Sequence, residues 1–297
     1  MKLIIVGATG FLGQHLVQAC QHQGYEISIV SRSLDKARRL FPKLEIVDHI
    51  PAQGSADAII NLAGTPIFDA AWSKKRKQLL WQSRIDLTES LLETTRHWSH
   101  PPELWLNASA IGIYGDGGDR WLSESDLATS DPDDFAQSLC LAWEKVAVHN
   151  NPSRTLLLRT GLVLGHSGGL LSRLKWVYYA GLGGRLGSGT QWMSWIHIDD
   201  WVNAVLSLLN NGQPTGPVNL VAPKPVTNQV FSDTLAHTLK RPARLAQPEW
   251  LLRFLLQERA DLLLASQRVK PEKLLDAGFR FQYPNLASAL KHLLLQP

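Results

Sequence analysis

Lys2-Leu3-Ile4-Ile5-Val6-Gly7-Ala8-Thr9-Gly10-Phe11-Leu12-Gly13 opens the chain. Lys2–Val6 reads as a buried strand, and a helical pattern begins at Phe11, so the three glycines sit in a strand-to-helix turn. Each has a mechanical task. The first permits a tight turn, the second lets the backbone approach a pyrophosphate, and the third allows close helix–strand packing. The helix N-terminus adds free N–H groups and a partial positive charge. The stretch therefore predicts a dinucleotide-binding turn built from Gly7, Thr9, Gly10, Phe11, Leu12 and Gly13.

Outward from this turn, the first two-thirds of the chain alternate short apolar runs with longer amphipathic ones. Glu26–Val30, Leu44–Val47, Ala58–Leu62, Leu104–Ala108 and Thr155–Arg159 read as further buried strands. Phe11–Gln23, Leu34–Leu40, Ser73–Trp98 and Asp134–Asn150 read as helices. Such alternation predicts an α/β fold, a Rossmann-type doubly wound parallel sheet with helices on both faces. After Gly165 the texture changes to Gly- and Pro-punctuated segments, with one more strand at Val218–Val221. The expected organisation is a cofactor domain over residues 1–221, with an insertion around 166–195. A smaller, mostly helical substrate lobe then covers 222–297.

The second strand ends Val30-Ser31-Arg32-Ser33. A site that grips the adenosine ribose of NAD needs an acid there, and an acid would repel a 2′-phosphate. Ser31 and Arg32 instead offer hydroxyl and guanidinium donors, which point to NADP(H); a surface arginine on a loop is the plainer alternative.

Composition bounds the rest. The chain has 297 residues, 44% hydrophobic and 19% charged, with a formal charge of +4, as suits a globular enzyme. Its one dense basic run, Lys74-Lys75-Arg76-Lys77, is too short for a nucleic-acid stripe and reads as a solvated helix face. Cys20 and Cys140 form no metal or disulfide pattern, which suits a reducing compartment, and no metal is expected. No run approaches a membrane span and the N-terminal apolar run is too short for a signal peptide. A cytoplasmic location and a small-molecule substrate are therefore expected; the oligomeric state is left open.

With these residues assembled, the chain resembles the extended short-chain dehydrogenase/reductases. The spacing Gly7-x-x-Gly10-x-x-Gly13, Asn61-Leu62-Ala63-Gly64 after the fourth strand, and Trp195-Ile196-His197-Ile198-Asp199-Asp200 carry that likeness. Three more segments, Ser83–Thr88, Ser109–Asp116 and Arg159–Gly165, narrow it, together with a tail running from Arg268 through Pro271 and Ala277-Gly278-Phe279 to Leu290. They are similar to an atypical subgroup labelled epimerase family proteins, with a distinctive C-terminal extension. The resemblance implies an NADP(H) site that includes Ser31, Arg32, Leu62, Ala63, Arg84 and Val163.

In ordinary members a Ser, a Tyr and a Lys four residues after the Tyr carry the chemistry. The Ser orients the carbonyl, and the Tyr, its pKa lowered by the ammonium, moves the proton. Ser109 fits the first role, unless it is a strand-end hydroxyl satisfying the backbone. Anchoring on Trp143-Glu144 places Ala136 and Cys140 at the other two positions, and no Tyr-x-x-x-Lys occurs in the sequence. Tyr114 is the candidate proton donor, or else an aromatic lid on the cofactor. Other substitutes for the missing pair are Glu144, or else an ordinary exposed helix acid; Cys140, or else a buried small hydrophobe; His197, which reads first as a brace at a helix start; and Asp116, a weak acid/base candidate. Arg185, Trp192 and Trp195 are expected to line the substrate pocket.

Loss of general acid–base help slows hydride chemistry without abolishing it, whereas epimerisation through a transient ketone suffers more. The expected function is thus an NADP(H)-dependent oxidoreductase acting on a small carbonyl or alcohol. A non-catalytic NADPH-binding sensor and a nucleotide-sugar epimerase are the alternatives.

Overall fold

The computed structural model describes the chain except for residues 127–130, 150, 152, 213, 296 and 297. Strand–helix alternation begins with β1 (Lys2–Val6), α1 (Phe11–His22), β2 (Glu26–Val30), α2 (Leu34–Leu40), β3 (Glu45–Val47) and β4 (Ala58–Asn61). It continues through α3 (Lys74–Gln82), α4 (Ile85–Arg96), β5 (Leu104–Ala110), β6 (Trp121–Leu122), α5 (Phe135–Val148), β7 (Arg154–Thr160) and β8 (Leu162–Leu164). Then come α6 (Gly169–Tyr179), β9 (Trp192–Met193), β10 (Trp195–His197), α7 (Ile198–Asn210), β11 (Gly216–Leu220), β12 (Val226–Thr227) and α8 (Asn228–Leu239). The tail holds α9 (Glu249–Leu256), α10 (Asp261–Leu264), β13 (Arg268–Val269), α11 (Glu272–Asp276) and α12 (Leu286–Leu295).

Seven strands form one sheet in the order β11-β7-β5-β4-β1-β2-β3, every neighbouring pair parallel. Aliphatic residues buried on both faces explain the near-continuous apolar runs of β1, β4 and β7. The chain reverses its winding between β1 and β4, so the crevice at their carboxyl ends is the place where this topology binds ligands.

The expected strands all form, within two residues at each end. The long helix expected over Ser73–Trp98 instead breaks in two. Ser83 ends α3, and its hydroxyl accepts the Thr65 amide at 3.1 Å. Arg84, at φ −120°, leads into α4. The break turns the Arg84 side chain toward the crevice. The helix expected over Asp134–Asn150 forms as α5 and ends at Val148, while Asn150 lies outside the described residues.

Tail and sheet domain are sewn together. β13 pairs in parallel with β6, and α12 lies against α8 and β8. The buried Asp200 accepts amides of Gln282 at 2.7 Å and Tyr283 at 2.9 Å. Buried Glu124 accepts those of Asn219 at 3.0 Å, Glu272 at 3.2 Å and Lys273 at 3.3 Å. No helix among the described residues is long and apolar enough to cross a membrane.

Candidate functional site

At the β1/β4 switch point the three glycines have different surroundings. Gly7 has φ +86°, and a Cβ there would sit 2.7 Å from the Ala63 amide nitrogen. A Cβ on Gly13 would strike the Gly7 carbonyl oxygen at 2.5 Å. Gly10 differs: its Cβ would meet only that same oxygen, at 3.3 Å, and otherwise faces open space. No side chain caps α1, so its N-terminus is left for an anion. These residues fit a dinucleotide.

The loop after β4 forms the facing wall. Asn61 is buried and acts as its brace. Its amide donates to Thr88 Oγ1 and Asn107 Oδ1, each at 2.9 Å, and its Oδ1 accepts the Ala63 amide at 3.2 Å. Leu62 donates its amide to the Val6 carbonyl at 2.9 Å. Arg84 lies over Gly64, where a Cβ would come within 3.0 Å of the guanidinium carbon, and it stacks on the Trp143 ring at 5.2 Å. Thr9, Phe11 and Leu12 are half-buried at the turn, the Phe11 ring filling the space beside Gly165, Gly168 and Gly169. Val163 is buried on β8. At the far end Ser31 is buried and Arg32 exposed, and Ser31 Oγ accepts the Ser33 amide at 3.2 Å.

Next to this crevice a buried charge network links β5, α5 and β7. Arg159 binds Glu144 through two bonds of 2.9 Å, Nε to Oε1 and Nη2 to Oε2. Ser109 donates to Glu144 Oε1 at 2.6 Å. Arg159 Nη1 also donates to Tyr114 Oη at 2.9 Å, and that hydroxyl faces Asn219 Oδ1 at 2.8 Å and the Ser123 carbonyl at 2.9 Å. Burial lowers the Arg159 pKa, but Glu144 and Tyr114 more than reverse this and hold it above the usual guanidinium value.

Several expectations need correction here. Tyr114 is 5% exposed, its proton goes to a neighbour inside the protein, and burial raises its pKa against the opposing pull of Arg159. An enclosed phenol of this kind braces the loop after β5 and is poorly placed to donate to a substrate. The Ser109 hydroxyl donates to Glu144, so its proton is not offered to a carbonyl. Glu144 is buried and paired, because its partner arrives from β7. Trp195 is fully buried, with its indole N–H on the Lys224 carbonyl at 3.1 Å, and does not line a pocket. Arg185 is exposed and folds onto the Ser188 carbonyl at 3.1 Å.

Other residues stand as expected. Cys140 is buried, and burial pushes its thiol up to about 12. Ala136 sits in an apolar cluster with Trp72, Leu80 and Leu139, so the volume of a tyrosine is taken by the strap before α3. His197 caps α7 by accepting the Asp199 amide on Nδ1 at 3.0 Å. That bond puts the ring proton on Nε2, which donates to His292 Nδ1 at 3.1 Å. His197, Asp199 and His292 bring ligand-type atoms within 4.8 Å of one another, yet both His197 nitrogens already serve the cap and this hydrogen bond. Asp116, read as a weak acid/base candidate, instead accepts on Oδ1 the amides of Gly118 and Ser266, each at 3.1 Å, and fastens the tail.

Arg159 is the site residue that sequence reasoning passed over. A lone charge in the apolar run Leu156-Leu157-Leu158-Arg159 was the signal, since a buried guanidinium needs a partner.

Known proteins share this fold. Residues 3–220 match the NAD dependent epimerase/dehydratase family, and 247–293 match a domain of unknown function, DUF1731. The epimerase family protein YfhF of Bacillus subtilis is 36% identical over 99% of this chain and 98% of its own length. A Staphylococcus epidermidis epimerase family protein is 35% identical over 99% of both. Among solved structures, the human epimerase family protein SDR39U1 (isoform 2) with NADPH superposes with a TM-score of 0.89 at 28% identity, covering 100% of each chain. A UDP-glucuronic acid 4-epimerase from Bacillus cereus, at 17% identity and a TM-score of 0.79, shares the fold over 98% of this chain and 97% of its own. The glycine turn, the seven-stranded parallel sheet and the tail thus converge on one conclusion: the chain belongs to the NAD dependent epimerase/dehydratase family, among its epimerase family proteins.

Proposed function

We propose that the protein is an NADP(H)-dependent oxidoreductase acting on a small carbonyl or alcohol in the crevice between the sheet edge and the lobe formed by residues 222–297. The observation that carries this reading is the end of β2. A buried hydroxyl, Ser31, and an exposed guanidinium, Arg32, stand where a ribose-gripping acid would otherwise be. Charge-assisted hydrogen bonds from these groups favour a 2′-phosphate by about 1.5–3 kcal/mol each. The solved human relative contains NADPH, which supports the same choice.

In this reading Gly7, Thr9, Gly10, Phe11, Leu12 and Gly13 hold the pyrophosphate. Asn61, Leu62, Ala63 and Gly64 border the adenosine, and Arg84 and Val163 border the nicotinamide half. Bound there, the nicotinamide supplies or accepts the hydride. The chain's own contribution is to position the substrate, exclude water and offset developing charge. Ser109, already donating to Glu144, has lone pairs left to accept a hydrogen bond from a substrate hydroxyl. At this residue the substrate is thus oriented through its hydroxyl, and its carbonyl is not polarised.

The enclosure of Tyr114 and the apolar packing around Ala136 favour a second reading, a protein that binds NADPH and does not turn it over. Titrations of NADPH and NADH, followed by nicotinamide fluorescence, decide the cofactor. NADPH should bind at least tenfold more tightly, and tighter NADH binding would sink the assignment. A screen of alcohols and carbonyls then separates enzyme from sensor, because substrate-dependent absorbance change at the nicotinamide band appears only for the enzyme.

A further inference from the structure

We propose that a face built from α6, the turn after it and α9 docks the protein onto an anionic lipid surface. None of its residues belongs to the dinucleotide site.

Large apolar side chains crowd this face. Trp176 and Tyr179 stand on α6, Leu182 on the turn that follows, Leu245 on the segment before α9, and Trp250 and Phe254 on α9 itself; all are exposed. Trp176, Trp250 and Phe254 reach 67%, 69% and 77% exposure. Backbone bonds hold these parts side by side. Leu245 donates its amide to the Gly183 carbonyl at 3.2 Å, Gln247 to that of Arg185 at 2.8 Å, and Gly187 to that of Gln247 at 2.8 Å. The Trp176 and Tyr179 rings lie 6.0 Å apart. On α9, Leu252 is buried against the protein while Trp250 and Phe254 point away from it. Single exposed apolar residues are ordinary. A contiguous apolar patch beyond roughly 300–600 Å² marks an interaction surface.

Charge decides the partner. The sequence has no Asp or Glu from Lys145 to Ile198, nor from Thr234 to Pro248. The first stretch contains α6 and its turn, with Lys175 and Arg185; the second leads into α9, with Lys240, Arg241 and Arg244. Among the described residues none of these five cations forms an ion pair. The acids nearest α9 are already engaged, Glu249 and Asp261 with Arg253, and Glu258 with Lys77. Lys175 Nζ lies over the Trp176 ring at 5.6 Å and the Arg241 guanidinium over the Tyr179 ring at 5.7 Å. Cations thus rim the aromatic groups, and no free acid balances them there.

A second copy of the chain would set these cations against their own equivalents, and like charges brought together oppose association. The rings also project from helix surfaces rather than line a groove, so the surface that receives them must yield around them. An anionic bilayer meets both demands. Its phosphates take the lysine and arginine heads, while indole, phenol and phenyl rings enter the headgroup boundary. Attachment is reversible, because α9 is only eight residues long and lies on the membrane instead of spanning it.

The test floats full-length protein at low salt with vesicles of equal parts phosphatidylcholine and phosphatidylglycerol, and with phosphatidylcholine alone. Binding should be at least tenfold stronger on the mixed vesicles, fall with added salt, and shift tryptophan emission to the blue. Trp250→Ser combined with Phe254→Ser should weaken it tenfold or more, and so should Lys240→Glu combined with Arg244→Glu. Melting temperature and NADPH affinity should not change, since all four side chains are exposed. If the first pair fails to fold, the second decides. Failure of the wild-type protein to float with the mixed vesicles overturns the proposal. Flotation undiminished by the Trp250 and Phe254 changes overturns it too, because charge alone would then explain the adsorption. If light scattering finds a dimer that these changes dissociate, the face joins two copies and the lipid assignment falls.

Discussion

Glu144 on α5 and Arg159 on β7 are joined by two parallel hydrogen bonds of 2.9 Å, each side chain only 9% exposed. The pair fastens the helix that would carry catalysis to the sheet that positions it. Removing one partner leaves a buried, unpaired charge, which costs about 3–5 kcal/mol. Glu144→Ala and Arg159→Met should therefore each lower the urea midpoint of unfolding sharply. The double variant should be more stable than the sum of the two losses. Additive losses would show that the pair is not coupled.

Within the glycine turn, substitution should separate folding from binding. Gly7→Ala places a methyl 2.7 Å from the Ala63 amide nitrogen at φ +86°, and about 1–3 kcal/mol of stability should be lost. Gly10→Ala adds its methyl on the open side. It should change the melting temperature little while weakening NADPH tenfold or more, as read by fluorescence titration. Unimpaired NADPH binding by Gly10→Ala would mean that the pyrophosphate does not cross this turn.

Both cysteines should be inert in the native protein. Burial holds the thiols of Cys20 and Cys140 at about 12, so little thiolate exists at neutral pH. An aromatic disulfide reagent at pH 8 should label neither until denaturant is added, and then both. Rapid labelling of Cys140 in folded protein would show that the helix opens.

Acid should weaken the fold through His197. Burial, with a smaller contribution from His292, lowers its pKa to about 3 from an ordinary 6.5. The unfolded chain therefore takes up this proton first. Stability contributed by the neutral ring is complete above about pH 6.5 and is lost as the pH falls toward 3. The slope is at most about 1.4 kcal/mol per pH unit for one proton. Chemical denaturation between pH 7 and 5 measures it, and His197→Asn, which keeps a capping acceptor, should flatten the curve. An unchanged slope would assign the acid sensitivity elsewhere.

Much of this molecule was legible in its sequence, for reasons that are local. β1, β2, β4 and β7 are aliphatic runs buried on both faces, and the glycine turn follows from sterics alone. The long-range parts were not legible. Nothing near Glu144 in the chain announces Arg159, fifteen residues on in another element, so an acid on an amphipathic helix read as exposed. The break at Ser83-Arg84 has no Gly or Pro and is fixed by a hydrogen bond from Thr65. The two-residue strands β6, β9, β12 and β13 are too short to leave a period. Tyr114 was visible as a phenol after β5, but its enclosure by Arg159, Asn219 and Ser123 depends on four separate segments.

Asp200, Glu124 and Ser194 set a timetable for the nascent chain. All three are buried, and each waits for main-chain groups of the tail: Gln282 and Tyr283 for Asp200, Glu272 and Lys273 for Glu124, Gln267 and Val269 for Ser194. Ribosomal synthesis runs from the N-terminus. The earlier two-thirds therefore emerge with polar groups whose folded-state partners are encoded later, and a buried polar group left unmet is costly. The strand–helix core can gather as it is made, but it cannot set until residues 267–283 arrive. Translation stalled before that point would hold an unfinished protein, exposed to proteolysis and chaperones rather than to its cofactor.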